Sequence, residues 1–150
     1  MYAYEHAFSD AEVQEWLDRQ IARYAADGFG LWALVRREDG AVIGQAGLTM
    51  QECGGKRLPE IGYLLKKAFW HQGYATEAAM ACKAYAFGVL GLDVVYSIIR
   101  DNNFPSQRVA QRNGMVPVGR TVKHYYHMDM PHILYDVRAG DKAGETAKDA

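Results

Sequence analysis

Cysteine is scarce in this chain. Cys53 and Cys82 are the only two among 150 residues, and their spacing makes no metal-binding motif. Neither sign of charge is in excess: 17 Lys and Arg stand against 18 Asp and Glu, a net charge of -1. The total implies no basic surface, so nucleic acid is not a favoured partner. No apolar run is long enough to cross a bilayer, and no cationic start leads into an apolar stretch. The expectation is a soluble, cytoplasmic protein with no membrane partner. No G-x-G-x-x-G follows a strand and no P-loop is present, which excludes the usual dinucleotide and nucleotide cradles. There is no internal repeat and no linker-like segment. With 49% hydrophobic residues, 1–150 reads as one domain with a proper core at about 8–138.

Along the chain, Ser9-Asp10-Ala11-Glu12 is a capping box, and Val13, Trp16, Leu17, Ile21 and Tyr24 follow at helical spacing until Gly28 and Gly30. Leu31 to Val35 and Ala41 to Leu48 read as strands around a Glu38-Asp39-Gly40 turn, with Gly44 and Gly47 as weak points or bulges. Gln51 to Leu58 is polar, holds Gly54-Gly55, and reads as a loop. Asp93 to Arg100 is an almost continuous apolar run, the pattern of a strand buried on both faces. A short helix opens at Pro105 or Ser106 and ends at Gly114. Val116 to Tyr126 and His132 to Val137 read as strands joined at Asp129-Met130-Pro131, and 139–150 as a polar tail. Cys82, beside Ala78, Ala79 and Ala86, reads as a buried free thiol.

The stretch that organises the rest is Pro59 to Glu77. Ile61, Tyr63 and Leu65 alternate as in a strand, and a turn of small residues, His71-Gln72-Gly73-Tyr74-Ala75-Thr76, leads into a helix to about Val89. A strand passing through such a turn into a helix leaves several backbone N–H groups free at the positive end of a helix dipole, which suits a phosphate. Glu60-Ile61-Gly62-Tyr63 together with Trp70 to Ala78 resembles the acetyl-coenzyme A signature of the GNAT superfamily of N-acetyltransferases, best the ribosomal-protein N-terminal (Rim-type) branch. His71 stands where that branch usually has Gly. Asn103-Phe104-Pro105-Ser106-Gln107-Arg108-Val109, followed by Gly114, resembles the family's Asn-x-x-Ser-x-Arg-Val segment.

The resemblance implies an α/β (α+β) GNAT fold: a mixed, mostly antiparallel sheet with one parallel βαβ crossover. Against that pattern the usual first strand and short helix are expected to be missing ahead of Met1, so Met1 to His6 is expected to cover part of an open sheet edge or leave it free for self-association. It implies transfer of an acetyl group from acetyl-CoA, as co-substrate and without a metal, to a primary amine in a ternary complex. The backbone of Tyr63 and Leu65 would hold the pantetheine arm. The amides of His71, Gln72, Gly73, Tyr74, Ala75 and Thr76 would take the pyrophosphate, and a backbone N–H near Tyr63 or Leu64 would face the thioester oxygen. Asn103 and Ser106 would lie beside the pantetheine and the thiol.

Ser106 reads equally as a helix N-cap. The Tyr that many members use as the acid falls at Ala110, and the Glu that another pattern places in the next strand falls at Ile98. Glu60 is the candidate base, or else it only binds the charge of the amine. His124, His127, Asp129 and His132 are close in sequence, but nothing fixes a metal geometry; polar strand faces are the plainer reading. The alternative function is a non-catalytic acyl-CoA-binding or dimerising module of the same fold.

Overall fold

The first helix is set by its cap. In the computed structural model, which describes residues 6–125 and 127–141, the Glu12 N–H donates to the Ser9 hydroxyl at 3.3 Å and the Ser9 N–H donates to the Glu12 carboxylate at 2.7 Å. This capping box opens α1, Asp10–Asp27, and Gly28 closes it in the left-handed region. The side of α1 that packs inward is polar. Gln20 is buried and Trp16, Arg23 and Asp27 are half-buried. Of the stripe found by spacing, Trp16 alone is half-buried, while Val13, Leu17, Ile21 and Tyr24 are 49%, 43%, 59% and 37% exposed.

β1, Leu31–Val35, pairs antiparallel with β2, Val42–Cys53. Their turn is held by Arg36 and Asp39, a bidentate ion pair, and by Gly40. β3, Lys56–Leu65, returns antiparallel along β2 in register from Cys53↔Lys56 to Gly44↔Leu65. The residues Gln51 to Leu58, expected as a loop, are therefore the ends of two strands. Gly54 and Gly55 both have positive φ, 57° and 77°, and form a two-residue hairpin turn. The strand ends run past the core into solvent, which is why their composition is polar.

A 3-10 turn, Lys67–Phe69, leads to α2, Tyr74–Gly88. Then come β4, Val94–Arg100; α3, Phe104–Arg112; β5, Val116–Tyr125; and β6, Met128–Arg138. The sheet order is β1-β2-β3-β4-β6-β5, and only β3 with β4 is parallel. The mixed, mostly antiparallel sheet with one parallel crossover is the architecture expected. β5 ends at Tyr125 and β6 begins at Met128, so Asp129-Met130-Pro131 is not the joint but lies inside β6, with Asp129 opposite His124. The residues 1–5, Tyr126 and 142–150 lie outside the described residues, and with them most of the expected edge cover and tail. No helix among the described residues is long and apolar enough to cross a membrane.

α2 packs through small side chains. Ala78, Ala79, Cys82 and Ala86 are buried against Ala46, Leu48 and Ile61 of the sheet, which lets the helix lie close. Burial pushes the free Cys82 thiol up to about 11, as an inert core residue. Asn113 ties α3 to α2 by donating to Ala79 O at 3.1 Å and accepting from Lys83 at its own carbonyl. On β4, Val95, Ser97 and Ile99 are buried on this side, while Tyr96, Ile98 and Arg100 lie on the α1 side.

Gly44 and Gly47 are sites of close strand approach rather than weak points. A Cβ on Gly47 would fall on Gly30 O and lie 2.8 Å from Leu31 Cα; on Gly44 it would fall on Leu64 O. The bulge lies beside them at Ile43, where the register shifts from Leu34↔Gly44 to Val35↔Val42. Gly47→Ala is expected to cost about 2 kcal/mol or more, lowering Tm by roughly 4–8 °C. Gly88→Ala, with no atom within 4 Å of the added methyl, is expected to raise it slightly. Thermal denaturation of the two variants checks both.

Candidate functional site

β3 and β4 share one paired register position, Glu60 with Tyr96. Just past it, side chains replace the backbone ladder. The Ser97 hydroxyl donates to Ile61 O at 3.0 Å, and the Ile98 N–H donates to the Glu60 carboxylate at 3.2 Å. From there the strands part. On β3, Lys66 N–H bonds back to Ile43 O on β2, so by alternation the N–H and C=O of Tyr63 and Leu65 face away from β2, into the gap. The Leu65 carbonyl accepts from the Trp70 indole at 3.0 Å.

Each of these parallel strands runs into a helix, so the N-termini of α2 and α3 open at the same end of the sheet. They differ in one respect. α1 is capped by Ser9 and α3 by Asn103, whereas α2 has no side-chain cap. Its first intrahelical bond is Glu77 N–H to Gly73 O, which leaves the N–H groups before it without helical partners. The turn before it is tight. His71 and Gly73 both take left-handed backbone, φ 60° and 84°. A side chain at such an angle is costly, and at His71 the bend is braced by Trp70 on Leu65 O and by the Gln72 amide on Ala68 O at 3.2 Å.

Glu60, Tyr63 and Ser106 meet at the gap. The Tyr63 hydroxyl donates to Ser106 O at 3.0 Å, joining β3 to α3 across the opening. Burial drives the Tyr63 phenol up to about 12, against a hydrogen bond with Ser106 and with the Glu60 charge adding to the rise. Burial likewise lifts the Glu60 carboxyl to about 7, although Lys123, the Ile98 N–H and Arg23 pull the other way. On the α1 side of the sheet, Glu60 borders an open cleft of about 250 Å³ shared with Arg23, Gln45, Thr49, Gln51 and Gly62.

The family described as the acetyltransferase (GNAT) domain matches residues 1–116. The chain belongs to the GNAT acetyltransferase family. It is 32% identical over 104 residues to the uncharacterized protein YkkB of Bacillus subtilis, covering 69% of this chain and 60% of that protein. Among solved structures it resembles a protein described as a GNAT-family acetyltransferase from Bordetella pertussis, with a TM-score of 0.79 at 23% identity, covering 92% of this chain and 82% of that one. It also resembles the ribosomal-protein-S5-alanine acetyltransferase from Vibrio fischeri, with a TM-score of 0.73 at 19% identity over 92% and 79% of the two chains. The chain spans about three fifths of the length of the curated relatives it matches.

In this GNAT domain the residues singled out by sequence fall around one opening: Glu60, Tyr63 and Leu65 on the parted edge of β3, His71 to Thr76 at the α2 turn, Asn103 and Ser106 at the head of α3. One expectation needs correction. Ser106 is not the N-cap. Asn103 is, and its side-chain oxygen accepts from Ser106 N–H at 3.4 Å. Phe104 and Pro105 precede Ser106 inside the first turn, since proline needs no partner there for a missing N–H.

The histidines of the β5–β6 hairpin separate. His124 pairs with Asp129 at 2.8 Å in solvent, His127 sits in the turn at φ 57°, and His132 is buried between Met130 O and the Tyr125 hydroxyl. No group of three or more His, Cys, Asp or Glu converges to hold a metal among the described residues. Two features had no signal in the sequence reading: the Tyr63 hydroxyl as a bridge to α3, and Arg23 in the cleft. Arg23 lies three residues after the buried Gln20, on the inward face of α1 with Trp16 and Asp27.

Two outcomes follow from this geometry. Asn103→Ala is expected to cost about 1 kcal/mol as a lost cap, and Ser106→Ala distinctly less, in chemical denaturation. For Glu60, the reference value is 4.5 and the folded value about 7. Between them the folded protein keeps a proton that the unfolded chain has released, so stability falls as pH rises through that window and levels off above it. Glu60→Gln removes this titration, and the variant's Tm should drop less than the parent's between about pH 5 and pH 8. Parallel melting curves would place the carboxyl near its ordinary value.

Proposed function

We propose that this GNAT domain transfers an acetyl group from acetyl-CoA to a primary amine by direct attack, in the manner of the Rim-type branch it resembles. The observation that carries the reading is the Glu60 carboxyl, set in the gap where a ladder bond would be and poised near neutral pH. A general base works best when its pKa lies near the working pH. The residues present fit the co-substrate. The outward N–H and C=O of Tyr63 and the N–H of Leu65 offer an extended arm the pairing of an added strand. The uncapped amides from His71 to Thr76 offer a pyrophosphate its donors. When bound, acetyl-CoA supplies an activated thioester.

Around it, Glu60 takes the amine proton, directly or through a water. The backbone N–H of Tyr63 steadies the developing oxyanion, since alternation turns the Leu64 N–H back toward β2. Ser106, with Asn103 at the head of α3, lies on the side of the leaving sulfur. A free thiol has a pKa of about 8.5, so the thiolate leaves without a strong acid, and Ala110 in place of a tyrosine is tolerable.

Calorimetry with acetyl-CoA and thiol release in the presence of an amine panel test this. Gly73→Val is expected to abolish cofactor affinity, because the side chain strains the left-handed turn and crowds its donors. Glu60→Gln is expected to keep cofactor affinity and lower kcat about a hundredfold. A rise in acceptor KM alone would make Glu60 a charge binder. Binding by the parent protein with no turnover of any amine would make the domain an acyl-CoA-binding module.

A further inference from the structure

The cleft beside Glu60 holds a second charged group that makes no ion pair among the described residues. Arg23 is half-buried on the inward face of α1 and lines the same cavity as Glu60. A guanidinium in that position is normally paired with a carboxylate, because its five donors need acceptors once water is reduced. Arg23 makes no ion pair among the described residues; the half-buried Arg100, which also has none, donates to the Tyr125 hydroxyl instead. The Arg23 hydrogen bond goes to a neutral group, the Gln20 side-chain oxygen at 3.0 Å. Gln20 is itself buried, 6% exposed, and its amide is anchored on Trp16 O at 3.3 Å. Gln20 thus orients the guanidinium without neutralising it.

The rest of the lining carries no charge: Gln45, Thr49 and Gln51 are polar, with Gln51 donating to the Thr49 hydroxyl at 3.0 Å, and Leu31 and Leu64 supply apolar walls. One carboxyl and one unpaired guanidinium therefore face a small space with amide and hydroxyl groups between them. That arrangement matches a molecule carrying both charges.

Resting on the acetyl-transfer reading above, we propose that the acceptor is a small amine that also bears a carboxylate, with its amine toward Glu60 and its carboxylate on Arg23. A guanidinium recognises a carboxylate through paired, charge-assisted hydrogen bonds. A polyamine would bring a second cation against Arg23, with Lys123 as a further cation near Glu60, and is disfavoured on charge alone. A cavity of about 250 Å³ suits an amino-acid-sized acceptor better than a folded protein surface.

The test uses the whole chain with acetyl-CoA and three sets of acceptors: free amino acids with α-, β- and γ-amines, their carboxamides, and spermidine. The expected result is acetylation of at least one free amino acid with kcat/KM about 10–100-fold above its carboxamide, the range of a charged hydrogen-bond pair. Arg23→Gln should collapse that preference to near unity by raising acceptor KM, with acetyl-CoA affinity unchanged, and Arg23→Lys should restore part of it. The inference is overturned if spermidine or the carboxamides are acetylated as well as the free amino acids, if no free amino acid is acetylated, or if the preference survives Arg23→Gln. Should Arg23→Gln fail to fold, the parent's ranking of the three acceptor sets and the Arg23→Lys variant decide the matter. Absence of acetyl-CoA binding in calorimetry overturns the acetyl-transfer reading itself, and is seen separately from any acceptor preference.

Discussion

Everything in the site depends on two parallel strands that stop pairing. Parallel neighbours in a sheet normally exchange evenly spaced hydrogen bonds along their length. Here the exchange ends after Glu60 and Tyr96, and the next acceptor and donor are met by Ser97 and Glu60 side chains. Backbone groups cannot be left unmet in a protein interior, so parting strands need substitutes, and these substitutes are polar by necessity. The same event brings a carboxyl into low-dielectric surroundings, frees the edge of β3, and places the heads of α2 and α3 on either side of the opening. Fold and chemistry have one origin.

The parts of the structure that could be read from the sequence are those fixed by local chemistry. The Ser9–Glu12 box, the alternation in β3 and the small-residue turn at Gly73 depend on neighbours within a few positions. The misreadings came where composition and geometry diverge. Gly54-Gly55 marked a turn, but the polar residues around it hid two strand ends that outrun the core. Asn103 and Ser106 are both good caps, and only the backbone angle decides between them. Gly44 and Gly47 suggested weakness, when the cause is a neighbouring strand too close for a methyl group. In α1 the apolar spacing was right and its orientation was not legible, since periodicity gives a face without saying which way it turns. Arg23 belongs to no motif, and only the fold brings it, half-buried, to the cleft beside Glu60.

Charge in the cleft is nearly balanced, and that matters for Glu60. Lys123 and Arg23 stabilise its anion while burial opposes it. Stronger cations would lower the carboxyl's pKa, and deeper burial would raise it. The intermediate value arises from opposition between the two, not from either cause. Tyr63 beside it is pushed the same way, its phenol raised by the same burial with the Glu60 charge adding to the rise.

The substitution of Glu60 for a rung of the sheet has a consequence for how this protein can change over generations. Mutations that let β3 and β4 zip further would be rewarded in a screen for heat resistance, and they would seal the opening. Directed evolution for robustness should therefore drift toward inactive variants first at Glu60, Ser97 and their neighbours, while the outer hairpin at Gly54-Gly55 and the distal strands stay free to improve. In a library of random variants, the boundary between durable and active would run through a gap a few residues long.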